Sequence, residues 1–296
     1  TIPGSVTPSG TDRTYHVTYN HDVEYNAGEI THLFITIKGA DVLVSVKVTP
    51  WEDQTPVELS YSFDESPTNV DGFEDGDEIT FYRLDGSGKV VDSKVYVVTT
   101  VGGKKELEPK DGTPWYRDDF GTGDKIVAVY PDGTRTNVPA GDNTFDVDMT
   151  GKSDPTNREN DIQVASDGVI KDKNANVDLT FEHALSKVTV NIIPGAGFAP
   201  GEITAGNPLV ELIQFMQKGT VDITNGNVSG LNTPEDFAPT SIPPTGMVEL
   251  SYSALILPQK KDANTTLVKI TLNGIEYEAK YPSDFTFEPG KNHVLD

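Results

Sequence analysis

The sequence predicts an all-β protein, and three observations carry that prediction. Apolar residues alternate with polar ones at period two in many short runs. Turn formers are abundant, with 27 Gly and 20 Pro in 296 residues. Convincing helical periodicity is scarce.

Taken in order, Leu33, Ile35 and Ile37 alternate with smaller or polar residues, and Val42, Val44, Val46 and Val48 do the same after a turn at Gly39. Strand-like runs follow at 79–84, 90–100, 125–130, 177–181, 188–193, 248–257, 267–272 and 275–281. The last two flank Asn273-Gly274, a pair that readily takes the positive φ angles of a type I′ hairpin turn. Asn225-Gly226 is a candidate for a second hairpin. Pro208 to Gln217 carries Leu209, Leu212, Ile213 and Met216 on one helical face. A short strand with a following turn fits the same residues.

The stretch 151–176 is rich in Asp and Asn, is interrupted by a short apolar patch from Ile162 to Ala165, and reads as a connection between two β domains. Beyond it the apolar parity changes. Val177, Leu179, Phe181 and Leu185 are odd, whereas Val188, Val190 and Ile192 are even. A bulge or tight turn between His183 and Lys187 would keep both sets facing a core.

An internal repeat is visible across the whole chain. Tyr15, Tyr19, Asp22, Tyr25 and Gly28 match Tyr277, Tyr281, Asp284, Phe287 and Gly290 at one offset of 262 residues (277 minus 15). Residues 1–52 therefore read as the tail of one module, and Asp296 aligns with Phe34. The second module lacks a copy of the strand-rich ending Ile35 to Trp51. A sandwich without that strand exposes an apolar groove and unpaired backbone. Three segments follow: a tail-like β segment at 1–52, a sandwich domain at 53–173 and another at 174–296. Three fillers fit that groove: the opening ribbon of this chain, with Leu33, Ile35, Ile37, Val42, Val44, Val46 and Val48 as the candidate completing strand, another subunit, or residues beyond Asp296.

A smaller echo pairs Phe73, Gly76, Asp77 and Ile79 with Phe120, Gly123, Asp124 and Ile126 in the pattern F-x-x-G-D-x-I. It reads as a recurrent strand-entry turn.

Charge and motifs narrow the functional classes. The formal charge is −23, from 46 acidic against 23 basic residues. Such a surface repels nucleic acid and anionic lipid. With no Cys, the chain has no disulfide, thiolate metal site or thiol nucleophile. The five His residues, His16, His21, His32, His183 and His293, form no zinc-helix motif. No G-x-S-x-G elbow anchors a hydrolase triad. The acidic loops Asp71 to Asp77 and Asp118 to Asp124 offer oxygen ligands for Ca²⁺, but neither has EF-hand spacing. No catalytic residue, cofactor or metal is expected. Trp115 and Tyr116, after a Pro in a loop, form a candidate ligand platform for a glycan, with core packing as the plainer role for Trp115.

The run Val177-Asp-Leu-Thr-Phe-Glu-His-Ala-Leu-Ser-Lys-Val-Thr-Val-Asn-Ile192 resembles the central signature of the Bacteroidetes fimbrillin-like family of fimbrial subunits. The F-x-x-G-D-x-I turns, the strand ending at Tyr130-Pro131, Leu257-Pro-Gln259, Phe287-x-Pro-Gly-Lys-Asn292 and the Val44 to Trp51 ending resemble other parts of its pattern. The resemblance implies two tandem transthyretin-like Greek-key β-sandwich domains, export as a lipoprotein with the signal removed, and display on the outer membrane or in a fimbrium. It implies partners that are other fimbrial subunits, joined when a strand of one completes the sandwich of the next. The alternative expectation is a non-polymerising surface lipoprotein that binds glycan or host protein. The departure from the pattern is that the tail-like segment stands before the module instead of after it.

Overall fold

The structure, a computed structural model, describes residues 29–38, 41–50, 57, 59–63, 72–116, 119–131, 137–169, 177–199, 201–246 and 248–295. Trp51, Asp71 and the first members of the long repeat, Tyr15 to Gly28, lie outside them, as do His16 and His21. The chain divides into two units. One holds Thr1–Thr55 with Tyr116–Asp118, and the other holds Pro56–Trp115 with Asp119–Asp296.

In the first unit, β1 (Glu29–Lys38) and β2 (Asp41–Pro50) form an antiparallel ribbon. Its register sets Leu33 opposite Val46, Ile35 opposite Val44 and Ile37 opposite Val42. The apolar positions of the two strands therefore match in parity.

The second unit begins with β3 (Leu59–Phe63), β4 (Glu78–Leu84), β5 (Val90–Val101), β6 (Lys104–Pro109), β7 (Lys125–Tyr130), β8 (Thr144–Asp148), β9 (Gln163–Val169) and β10 (Val177–His183). All but β8 build one sheet in the order β3-β10-β9-β7-β4-β5-β6. Only the β3–β10 pair is parallel. Both faces of this sheet are buried, which explains near-continuous apolar runs such as Ile126 to Tyr130. One face, with Ile79, Phe81, Tyr96, Ile126 and Phe181, closes over Phe73 and Trp115 from the loops. Its edge strands β3 and β6 curl to within 8 Å of each other (Cα–Cα). The other face, with Tyr82, Leu84, Val127 and Val129, packs on Phe145, Met149, Ile223 and Leu257.

The chain continues through β11 (Ser186–Ile192), helix α1 (Glu202–Ala205), β12 (Leu209–Asp222), β13 (Val228–Phe237), β14 (Thr240–Ile242), β15 (Leu250–Ile256), β16 (Gln259–Lys261), β17 (Thr266–Leu272), β18 (Ile275–Lys280), β19 (Phe285–Phe287) and β20 (Asn292–Leu295). One sheet runs β14-β15-β11-β20 and its mate β13-β12-β17-β18, with β8 also paired to β12. Val188, Leu212, Phe215, Ile256, Val268 and Phe287 lie in the core of this sandwich. The all-β expectation holds.

Three local expectations are refined. Pro208 to Gln217 is not helical but lies largely in the long strand β12. Gln214 adopts φ 54° and the register shifts between Leu212 and Phe215, a β-bulge. The extra residue moves burial from Val210 and Leu212 to Phe215 and Gln217, so of the four residues on the expected helical face only Leu212 is buried. Side chains meet the polar groups that the bulge displaces. Asp236 accepts from the Gln214 N–H at 2.8 Å, and Gln259 accepts from the Met216 N–H at 3.0 Å. Lys261 donates to the Ile213 carbonyl at 3.0 Å and to that of Gln214, with its Nζ 4.2 Å from the Phe215 ring centroid.

The interval 151–176 contains a strand, β9, seated between β7 and β10. Within it Gly168 must stay bare, because a Cβ there would lie 2.3 Å from the Ile126 carbonyl oxygen and 2.7 Å from Leu179 Cδ2. The parity change after 181 marks a change of sheet. β10 ends at His183, and after Ala184 and Leu185 the chain enters β11, so the odd and even sets line different cores. The Asn273-Gly274 hairpin forms as expected, with φ of 52° and 80°, and Gly226 at φ 71° helps close the β12–β13 hairpin.

Two expected outcomes follow from this packing. Gly168→Ala lowers stability by about 2 kcal/mol or more in urea unfolding, because a backbone carbonyl blocks the added carbon. Lys261 is pushed down to about 8 by burial, against the pull of Asp236. Between about pH 8 and the usual lysine value of 10.5, the unfolded chain holds a proton that the native one has released. Native stability from this site therefore rises with pH across that window. The stability difference between the native protein and Lys261→Met, measured by urea midpoints, grows from pH 8 to pH 10.

Candidate functional site

The two F-x-x-G-D-x-I segments are matching strand-entry turns. Gly76 and Gly123 take φ of 91° and 88°, a region that favours glycine. Asp77 Oδ2 accepts the Glu74 N–H at 2.7 Å, and Asp124 Oδ2 accepts the Gly121 N–H at 2.9 Å. Each carboxylate also meets an arginine: Arg158 at 2.6 Å from Asp77, Arg83 at 3.5 Å from Asp124. The strands they launch, β4 and β7, are antiparallel neighbours that bury Ile79 and Ile126 fully. These acidic residues thus serve the turns, and among the described residues no three His, Asp or Glu side chains gather as a metal site.

Trp115 is 1% exposed. Its ring packs 6.4 Å from Tyr96 and 5.9 Å from Phe120 (centroids), and its Nε1 donates to Asp92 at 2.7 Å. It occupies the core of the first sheet and offers no free ring face. Tyr116 is half-buried.

The passage between the sandwiches carries a buried polar cluster that sequence inspection did not single out. His183 Nδ1 lies 2.7 Å from Asp161 Oδ2, and Gln163 donates to the same oxygen at 3.3 Å. Burial pushes the nearby Lys187 ammonium below its ordinary range, against the attraction of Asp161. The arrangement holds the ends of β9, β10 and β11 together.

The end of the second sandwich is where the motifs converge. Phe287-x-Pro-Gly-Lys-Asn292 docks β20 against the signature strand β11. Gly290 N donates to the Leu185 carbonyl at 2.8 Å, and Lys187 N to the Lys291 carbonyl at 2.9 Å. Ser186 Oγ donates to the Glu288 carbonyl at 2.6 Å, and Thr189 Oγ1 to Asn292 Oδ1 at 2.9 Å. The result is a parallel β11–β20 pair. His293 accepts the Glu288 N–H at 2.9 Å and packs on Phe285 and Phe287, and Leu295 joins the core. Val294 faces out, 51% exposed.

Among the described residues β20 pairs with β11 alone, so its outer edge is unmatched. The opposing sheet shows a related feature. Ile275 and Tyr277 pair with Leu272 and Ile270, and so share the face that buries Val268 and Leu272. Yet they are 57% and 42% exposed. The core-bearing face runs on uncovered at β18. This unfinished border is the candidate functional site. Leu33, Ile35, Ile37, Val42, Val44, Val46 and Val48 stand in register in the other unit.

Tandem β-sandwiches whose polar side chains serve turns, bulges and junctions define a protein that works through its sheets and edges. The chain belongs to the fimbrillin-like family, whose model matches residues 67–296. Its fold is similar to that of a candidate cell adhesion protein from Bacteroides uniformis, with TM-score 0.53, 18% identity and coverage of 81% of this chain and 93% of that one. It is also similar to one from Bacteroides ovatus, with TM-score 0.53, 18% identity and coverage of 81% and 92%. No curated protein matches the chain. The resemblance carried by residues 177–192 and 287–292 is therefore met at the level of the family, and membership supports a fimbrial or adhesive role at the cell surface.

The placement of Trp115 sets an outcome. Trp115→Ala costs about 3–5 kcal/mol of stability in chemical denaturation, the cost of an emptied core position. Trp115→Phe, which keeps most of the packing but loses the donor to Asp92, costs about 1 kcal/mol.

Proposed function

We propose that this chain is a structural subunit or adhesin of a bacterial cell-surface fimbria, assembled by β-strand complementation, with other fimbrial subunits as its partners. The observation that carries the reading is the unmatched outer edge of β20, beside a sandwich whose core-bearing face is uncovered at Ile275 and Tyr277. An added strand supplies main-chain hydrogen bonds to such an edge and apolar side chains to such a face. The β1–β2 ribbon has the required character: two ten-residue strands with alternating apolar residues at Leu33, Ile35 and Ile37 and at Val42, Val44, Val46 and Val48. The long internal repeat points the same way, because it equates β20 with the opening half of β1, whose partner in the ribbon is β2.

The proposed role needs no reacting group. Leu33, Ile35, Ile37, Val42, Val44, Val46 and Val48 fill a groove, and the bond between subunits is the buried apolar surface with its ladder. Each valine fully buried contributes about 1.5–3 kcal/mol, so a completed strand is slow to leave. The protein is exported and held at the outer membrane or within the fimbrium, through neighbouring subunits or a lipid anchor.

The test is Val44→Asp together with Val46→Asp. The expected result is loss of polymers that survive mild detergent on a gel, while the thermal unfolding of the 56–296 unit stays within a few degrees of the parent. Unchanged polymers in the double variant overturn the assignment of the ribbon.

A further inference from the structure

The repeat, the ribbon register and the β20 edge together specify how the joint is made. Resting on the complementation reading, we infer that β20 accepts strand β2 of a second copy of this chain, antiparallel, with Leu295 opposite Val46 and His293 opposite Val48.

The register comes from the repeat. With Gly28 equivalent to Gly290, Thr31 corresponds to His293, His32 to Val294 and Leu33 to Leu295. β20 is thus the counterpart of the opening half of β1. In the ribbon, Leu33 stands opposite Val46, His32 opposite Lys47 and Thr31 opposite Val48. Carried across, the strand that fits beyond β20 has the sequence of β2, and its pairing partners follow residue by residue.

Two independent features of β20 agree. The first is the side-chain parity. His293 and Leu295 turn to the core while Val294 is exposed. The transferred register puts Val48 and Val46 beside the two inward residues and Lys47 beside the outward one. A slip of one residue would drive Lys47 into the core and both valines into water.

The second is the backbone. The Lys291 carbonyl accepts from Lys187 and so faces β11. Backbone groups alternate along a strand, which leaves those of Asn292 and Val294 pointing to the open side. In an antiparallel match they exchange hydrogen bonds with Thr49 and Lys47. His293–Val48 and Leu295–Val46 then become non-hydrogen-bonded pairs, whose Cα atoms approach to about 4.5 Å. That spacing falls within the range a disulfide spans.

Because the chain has no cysteine, the joint can be read by crosslinking. One copy carries Val46→Cys and another carries Leu295→Cys. They are mixed under conditions in which the unmodified protein polymerises, oxidised, digested and mapped by mass spectrometry. The expected product is a disulfide from position 46 of one copy to position 295 of another. It should form at least tenfold more than with Val44→Cys or Lys47→Cys in place of Val46→Cys. The single chain bearing both Val46→Cys and Leu295→Cys is oxidised at high dilution in parallel, and a link within one monomer there would mean self-completion and overturn the inference. Polymers that form but crosslink at another register, or not through position 295, overturn the inference and leave complementation standing. Absence of polymers from the unmodified protein removes both.

Discussion

Every strand in a sheet needs a neighbour on each side for its backbone N–H and C=O groups, or a device that makes the open side harmless. This molecule meets that demand by recruiting strands from distant parts of the chain. β3 lies parallel to β10, β8 is borrowed by β12 in the far sheet, and β20 lies parallel to β11. These long-range pairings, with the core shared by Tyr82, Met149, Ile223 and Leu257, tie the first sheet to the second sandwich. Where an edge remains, it is mostly guarded. β6 carries Lys104, Lys105, Glu106 and Glu108, β13 contains Pro234, and β14 has only three residues. β3 curls toward β6. Across Asn292–Leu295 there is no Asp, Glu, Lys, Arg or Pro. Among the described edges of the second sandwich it is the one without such a guard, since β18 carries Glu276, Glu278 and Lys280.

Much of the fold was legible in the sequence because period two and turn chemistry act locally. The Asn273-Gly274 hairpin and the strands at 79–84, 125–130 and 267–272 needed only short windows. What escaped such reading depends on events with no local signature. The bulge at Gln214 inserts one residue into β12 and so interrupts the period-two pattern that would mark 208–217 as a strand. β9 looks like a linker because Gly168 must stay bare against the Ile126 carbonyl and Asp167 accepts the Thr180 N–H. The parity change after Phe181 was visible, but its cause, a passage between sheets through Ala184 and Leu185, requires knowing which core each strand faces.

The candidate site divides in the same way. The repeat at an offset of 262 equates β20 with the opening half of β1 from the sequence alone, since it compares the chain with itself. It could not show that Ile275 and Tyr277 are exposed, because that follows from their pairing with β17 and from the extent of the opposing sheet. For Trp115 core packing is the plainer reading of the sequence, and the structure supplies the partners that sequence could not name: Asp92, Tyr96 and Phe120 enclose it. Loop position says little about burial when the loop caps a curled sheet.

The strongly acidic surface bears on how such a joint would form. Two copies of charge −23 repel each other at long range, but at 0.1 M salt that repulsion decays over about 10 Å. Paired strands sit about 4.8 Å apart, inside the distance at which screened repulsion gives way to short-range forces. There an exposed charge pair is worth about 1 kcal/mol or less, whereas burying two valines contributes about 3–6 kcal/mol before any ladder bond is counted. Charge therefore slows encounter and discourages indiscriminate sticking, and it has little hold over a strand already seated. On the proposed assembly, a surface that repels its own kind suits a subunit that joins through the uncharged edge of β20.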